Sequence, residues 1–151
     1  MTKLVILRHA KAEKIAPTDK DRPLTAKGQD QARQVKQWLD SQDIVLDYAV
    51  VSTATRTRET FAGLRAGCQV NFSDRAYNAP GYTLASLIAV CPAVATEIVV
   101  VAHNPGITEL ANDCGWQGIL SPGSAVLVQW NGPPSEFETA DITVLADFKP
   151  E

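Results

Sequence analysis

The sequence predicts an α/β fold: a three-layer sandwich with a mostly parallel central sheet flanked by helices. Three observations lead there. Short apolar runs alternate along the chain with segments of helical periodicity, the order expected when parallel strands are joined by crossover helices. One run, Glu97–Ala102 (EIVVVA), is apolar after its first residue, as befits a central strand covered on both faces. Finally, 151 residues with 45% hydrophobic and 21% charged side chains is globular composition, the size of one domain (1–151) with little room for a second.

The elements follow in order. Lys3–Leu7 is too short for a helix and rich in branched residues, so it is the first strand. The polar stretch from Lys11 to Arg22 is a loop. Thr25, after Pro23-Leu24, has the character of a helix N-cap. Ala32, Val35, Trp38 and Leu39 then recur at helical spacing, which places a helix at about 26–42. Tyr48–Ser52 is a second strand, and Thr53–Leu64 a second helix stopped by Gly67. Val70 and Phe72 fall on a short strand. Pro80-Gly81 turns the chain, and Thr83 opens a helix through Leu84, Leu87 and Ile88. After Glu97–Ala102, His103-Asn104-Pro105-Gly106 breaks the strand, and Pro105 suits the first turn of a helix running to about Asn112. Ala125–Trp130 and Glu138–Val144, separated by Asn131-Gly132-Pro133-Pro134, are expected as strands in a hairpin-like end to the sheet.

Charge and cysteine usage narrow the partners. With 14 Lys+Arg against 17 Asp+Glu the net charge is −3, so the overall basic field that attracts nucleic acid or anionic lipid is lacking. No apolar stretch approaches the roughly 18 residues of a membrane span. The start MTKLVILRHAKAEK has an apolar run of only four residues before Arg8, unlike a signal peptide. Cys68, Cys91 and Cys114 form no CxxC pair, which suits buried thiols in a reducing cytoplasm. The expectation is a soluble cytoplasmic protein.

The chemistry collects at strand ends. Only two histidines are present, and each closely follows a predicted strand: LVILR-His9 and IVVVA-His103. Sites in open parallel sheets form at the carboxyl ends of strands. Ser52 ends YAVVS, and Arg56 lies near the first turn of the next helix, so Arg8, His9, Ser52, Arg56 and His103 share one rim if their strands are parallel neighbours. A single histidine at a strand end is ordinarily structural, a single arginine ordinarily solvated, and Ser52 most simply a cap. Together they repel, unless an anion lies between them. Guanidinium forks match phosphate oxygens in bidentate geometry, so the rim has the makings of a phosphate pocket. There is no GxSxG elbow, GxxxxGK[ST] loop or GxGxxG turn. Two histidines 94 residues apart, without HxE or HExxH, do not make a metal site, and no cofactor is expected. What remains is an imidazole nucleophile that takes a phosphoryl group covalently.

These residues carry a resemblance. Arg8-His9-Ala10 after a strand resembles the RHG/RHA motif of the histidine phosphatase superfamily, which includes the cofactor-dependent phosphoglycerate mutases. Ser52-Thr53-Ala54-Thr55-Arg56-Thr57-Arg58-Glu59-Thr60 is similar to that family's SPxxRxxQT segment, with Thr53 for Pro and Glu59 for Gln. Ala102-His103-Asn104-Pro105-Gly106 is similar to its GHNPG motif. The length, the Asp21-Arg22-Pro23-Leu24-Thr25-x-x-Gly28 stretch and Ser124-Ala125-Val126 resemble the small SixA-type phosphohistidine phosphatases, over nearly the whole chain from Leu4 to about Trp130. The resemblance implies a phosphoglycerate mutase-like fold. It makes His9 the phosphoryl acceptor, with Arg8, Arg56 and His103 clamping the phosphate, helped by the backbone N–H of Asn104. Ser52, Arg22 and Gly28 are further binding candidates. Arg22 is equally suited to ordering its own loop. Gly28 stands near the third helical position, where glycine costs about 0.5–1 kcal/mol relative to alanine, so backbone there must approach a neighbouring strand or the substrate closely.

One departure bears on the substrate. Larger members of the family carry a glutamate general acid after the second helix, where this chain has Arg75-Ala76-Tyr77-Asn78-Ala79. Asn78, the expected counterpart, cannot act as an acid. A positioned acid contributes roughly 10²–10⁴ in rate, and an alkoxide needs one far more than an imidazole does. Glu13, Glu59 and Asp74 are the candidates to replace it. The resemblance thus implies a phosphatase acting on phosphohistidine, borne by a protein such as a phosphotransfer domain. The alternatives are a phosphatase for a small phosphoester or phosphoanhydride, and a non-catalytic phosphate-binding module.

Overall fold

Alternating branched residues build the middle of the molecule. In the computed structural model, which describes all 151 residues, the first strand, β1, runs Thr2–Arg8 and sends Leu4 and Ile6 to one face and Val5 and Leu7 to the other. Helix α1 (Ala26–Ser41) leads to β2 (Tyr48–Ser52), α2 (Thr55–Gly63) to β3 (Gln69–Ser73), and α3 (Gly81–Ala89) to β4 (Glu97–Ala102); α4 (Gly106–Asp113) precedes β5 (Ala125–Trp130) and β6 (Thr143–Phe148). The six strands form one sheet in the order β3-β2-β4-β1-β5-β6. The first four of these are mutually parallel, while β5 runs antiparallel to β1, and β6 antiparallel to β5. This is the phosphoglycerate mutase-like arrangement that the resemblance implies.

Each face of the sheet carries its own core. Leu4, Ile6, Ile98, Val100, Val126 and Val128 pack with α3 (Leu84, Leu87, Ile88) and α4 (Ile107, Leu110). On the other side Val5, Leu7, Val99, Val101 and Leu127 meet Val35, Trp38 and Leu39 of α1. Complete burial of one such aliphatic side chain contributes about 1.5–3 kcal/mol, so the central strands are the most firmly held part of the chain. Helix α1 starts where its cap is: the Thr25 hydroxyl accepts the N–H of Gly28 at 3.0 Å.

Several boundaries differ from expectation. The last strand is Thr143–Phe148, not Glu138–Val144. Residues 134–136 form a single 3₁₀ turn, and Phe137 packs against the Trp130 ring with centroids 5.0 Å apart, so the apolar residues there serve the core from a loop. In β6 half-buried and exposed positions alternate, but Val144 packs toward one core and Ala146 and Phe148 toward the other, the register shifting at Leu127/Val128. Helix α2 begins at Thr55 rather than Thr53, whose hydroxyl instead donates to Asp74 at 2.6 Å. Helix α3 begins at Gly81, two residues before Thr83, and α4 at Gly106, with Pro105 just outside it. The polar stretch after β1 is more ordered than a plain loop: it holds a 3₁₀ turn at Asp19–Asp21 and a bridge between Ala12 and Leu24.

Candidate active site

Strand register brings the two histidines together. Arg8 lies opposite Ala102 across the parallel β1–β4 pair, so His9 and His103 leave adjacent strands at the same carboxyl edge. Their ring centroids are 5.4 Å apart. Val51 lies opposite Val101, which sets Ser52 at the same edge, and its Oγ is 2.7 Å from His103 Nε2. Arg56 is the second residue of α2, directly above the end of β2. Arg8, His9, Ser52, Arg56 and His103 therefore do share one rim.

The hydrogen bonds at His9 define its chemistry. Its Nδ1 lies 2.7 Å from the Ala10 carbonyl, which can only accept, so Nδ1 carries the hydrogen and Nε2 keeps a free lone pair. The main chain is fixed as well: His9 N–H donates to Ala102 O at 3.1 Å, and His9 O accepts Gly123 N–H at 3.0 Å. Next to it, Ala10 N–H donates to Thr60 Oγ1 at 2.9 Å, and the Thr60 hydroxyl donates to the Arg56 carbonyl at 2.7 Å, tying the segment to α2.

Three buried side-chain nitrogens have no hydrogen-bond partner in the chain: Arg8 Nε, Arg56 Nε and His103 Nδ1. All three belong to this rim. An unsatisfied buried polar group costs about 1–3 kcal/mol, and native proteins leave few of them. When Ser52 donates to Nε2, His103 carries its hydrogen on the unpartnered Nδ1, and the rim then presents three donors in want of an acceptor. The backbone N–H of Asn104 likewise takes part in no loop or cap hydrogen bond. Phosphate, with oxygens on every side, suits such a set.

Electrostatics agree. Burial above all, with repulsion from Arg56, Arg8 and Arg22, overrides the raising effect of the Ala10 hydrogen bond and lowers the His9 pKa from 6.5 to about 4. Burial, then His9 and Arg56, lowers that of His103 to about 3. Both imidazoles are neutral at physiological pH. The unfolded chain takes up their protons below about 6.5, while the folded chain resists until about 4 and 3, so the folded state loses stability as pH falls through that window. The thermal midpoint is therefore expected to drop by several degrees between pH 7 and pH 4.5, with a shallower decline in His103→Asn. A scan by differential fluorimetry measures this, and an equal slope in the variant would assign the effect to other groups.

The remaining candidates divide. Arg22 orders its loop, donating from Nε to the Glu13 carbonyl at 2.6 Å and from Nη1 to Asp19 at 3.0 Å, yet lies near enough to His9 to repel its proton. Asn104 uses its side chain for support, donating to the Leu120 carbonyl at 2.8 Å and accepting from Thr108 at 2.6 Å. Arg8 grips the same Leu120 carbonyl from Nη1 at 3.0 Å. The close approach expected at Gly28 is to the loop after β1: a Cβ there would stand 2.0 Å from the Lys11 carbonyl oxygen, so glycine is required for packing rather than for the pocket.

Asn78 does not occupy an acid's place. It is exposed, in the left-handed region at φ 49°, and the ring of Tyr77 beside it packs nearly perpendicular to that of His103 with centroids 5.5 Å apart. Of the substitutes, Glu59 accepts the Leu24 N–H at 2.7 Å, Asp74 is held by Thr53 and Lys20 at the surface, and Glu13 is exposed. Two residues that the sequence reading did not single out complete the rim. Asp19 accepts from Arg56 Nη2 at 3.1 Å through its carboxylate and from Arg56 Nη1 at 2.8 Å through its carbonyl, and Tyr77 donates its hydroxyl to the same carboxylate. In sequence Asp19 is one charge among several in a polar loop, with no periodicity to mark it.

No three His, Cys, Asp or Glu side chains gather anywhere as metal ligands would, and no helix is long and apolar enough to cross a membrane. The family model described as histidine phosphatase superfamily (branch 1) matches residues 4–76. The uncharacterized protein MT1313 of Mycobacterium tuberculosis is 35% identical over 107 residues, which is 70% of this chain and 67% of the relative. Among solved structures, the putative phosphohistidine phosphatase SixA from Nakamurella multipartitia superimposes with a TM-score of 0.89 at 27% identity, covering 99% of this chain and 96% of that one. The protein histidine phosphatase SixA complexed with tungstate gives a TM-score of 0.83 at 19% identity, over 99% and 97% of the two chains.

Proposed function

Since this chain belongs to the histidine phosphatase superfamily and has the SixA-type fold, we propose that it is a phosphatase that removes phosphate from phosphohistidine through a covalent intermediate on His9. The observation that carries this reading is the pairing of a free, unprotonated His9 Nε2 with three unpartnered buried nitrogens on the same rim. In the first step Nε2 attacks phosphorus, and the bond from phosphorus to the substrate's ring nitrogen breaks with its electron pair passing to that nitrogen. Arg8, Arg56, His103 and the Asn104 N–H stabilise the charge spread over the equatorial oxygens. Water then attacks phospho-His9 and releases inorganic phosphate.

The want of a proton donor supports a phosphoramidate over an alkyl ester. Asp19 is held ionised by its hydrogen bonds to Tyr77, Arg22 and Arg56, and Glu59 is engaged by Leu24. An imidazole departs from phosphorus without an acid, provided its other nitrogen carries hydrogen; an alkoxide does not. The partner is a phosphohistidine-bearing protein, and the cytoplasm is where such a partner would be met.

Incubation with a phosphorylated histidine phosphotransfer domain, beside p-nitrophenyl phosphate and phosphoglycerate, tests the reading. Phosphotransfer-domain and aryl phosphate hydrolysis are expected, with phosphoglycerate cleaved at least ~100-fold less efficiently for lack of an acid. Excess EDTA should leave the rates unchanged, while vanadate or tungstate should inhibit by taking the donor set. Preference for phosphoglycerate, or metal-dependent activity, would overturn the proposal.

A further inference from the structure

Asp19 stands where an anion ought to be unwelcome, against an arginine assigned to phosphate. It opens the 3₁₀ turn at Asp19–Asp21, and its carboxylate accepts from Arg22 Nη1 at 3.0 Å, from Arg56 Nη2 at 3.1 Å and from the Tyr77 hydroxyl. A carboxylate has about four acceptor positions, so one stays open. Arg56 is almost wholly enclosed, its side chain 4% exposed, whereas the Asp19 side chain is 47% exposed. Arg56 and Tyr77 both bind Oδ2, so the free position is on Oδ1, the oxygen that Arg22 also holds, on a half-exposed carboxylate beside the Arg56 guanidinium. Tyr77 spans the gap between the two ends of the site, its ring against His103 and its hydroxyl on Asp19. Lys20 lies over the Tyr77 ring at 5.3 Å but spends its charge on Asp74 at 2.9 Å.

We propose that Asp19 is a leaving-group recognition residue, whose open carboxylate position receives the N–H of the departing imidazole and so selects phosphohistidine over phosphate esters. The proposal rests on the phosphatase reading above. Tyr77, Arg22 and Arg56 keep the carboxylate ionised well below the usual range, so it acts as a fixed acceptor and not as an acid. A phosphorylated imidazole can carry a proton on its far nitrogen. When His9 Nε2 attacks, the phosphorus–nitrogen bond breaks, its electron pair stays on the near nitrogen, and neutral imidazole leaves with the far proton still in place. An acceptor for that proton stabilises the protonated, reactive form of the substrate. The same negative charge repels an aryloxide, an alkoxide or a substrate carboxylate at the same spot. The carboxylate thus favours one leaving group by attraction and disfavours the others by repulsion.

Asp19→Asn and Asp19→Glu decide the matter, assayed with N-phosphohistidine and p-nitrophenyl phosphate. For Asp19→Asn, the ratio of kcat/KM for phosphohistidine to that for the aryl ester is expected to fall roughly tenfold or more, the loss of a charge-assisted hydrogen bond. Asp19→Glu should recover much of that ratio. The alkaline limb of the phosphohistidine pH profile should also move to lower pH in Asp19→Asn, because the acceptor that held the substrate's proton is weaker. If Asp19 merely props Arg56, both substrates will slow in step and the limb will not move, which overturns this proposal while leaving the phosphatase reading intact. Wild-type protein inactive on both substrates would instead overturn the phosphatase reading.

Discussion

His9→Ala is expected to lower turnover by roughly three orders of magnitude or more, with the fold retained. The imidazole is the nucleophile of the rim, with Nε2 left unprotonated by the Nδ1 bond, and loss of a covalent nucleophile is among the largest single-residue effects known in enzymes. Its removal asks little of the core, because the main-chain bonds of residue 9 to Ala102 and Gly123 do not involve the ring. Thermal unfolding of the variant at pH 7 is expected within a few degrees of wild type, and above it at pH 4.5, since one of the two protonation-resistant imidazoles is gone. Brief exposure to a radiolabelled phosphohistidine donor should label wild-type protein with an acid-labile, base-stable phosphate and leave His9→Ala unlabelled. More than a few per cent of wild-type activity in the folded variant would rule out the covalent route.

The second large effect belongs to Arg56. Arg56→Ala is expected to reduce kcat/KM by about 10²–10³, as when a preorganised donor to the transition state is lost. Arg56→Lys should recover little of this. A lysine supplies charge but not the planar fork that holds Asp19 with two nitrogens while leaving Nε for substrate. Inhibition by vanadate should weaken in parallel in both variants. Near-complete rescue by lysine would reduce Arg56 to a source of charge. Because the wild-type guanidinium is enclosed, circular dichroism and thermal unfolding of each variant must accompany the kinetics.

Strands β2, β4 and β5 begin and end where the sequence places them, because each is a short apolar run flanked by turn or cap residues and buried on both sides. Helix α1 was equally legible, through Thr25 and the stripe from Ala32 to Leu39. At the sheet edge the pattern loses force: residues 137–142 and 143–148 are similarly apolar, and contact with Trp130 decides which of them pairs. The rim residues supplied by strand ends follow from topology, and they were readable for that reason. Asp19 and Tyr77 were not. They meet each other across 58 positions, and Asp19 meets Arg56 across 37, so nothing in their local sequence marks the encounter. Position along the chain points to Asn78, but its left-handed backbone leaves it exposed while its neighbour Tyr77 packs against His103.

The bonds around His9 have a consequence for timing. Its amide is tied to β4, its carbonyl to the turn before β5, its ring to the next carbonyl, and the following amide to α2. Sites that swing between steps are drawn from weakly held segments, and this one is anchored in the most strongly held part of the sheet. The ring is held by the bond from its Nδ1 to the Ala10 carbonyl. On the proposed route, phosphate arrives at, and water later reaches, the same held nitrogen, so the slow events of a cycle would fall to the visitors: the donor would have to dock, leave, and expose phospho-His9 before hydrolysis begins. A partner that lingers would hold the enzyme loaded, and the cycle would be paced by dissociation.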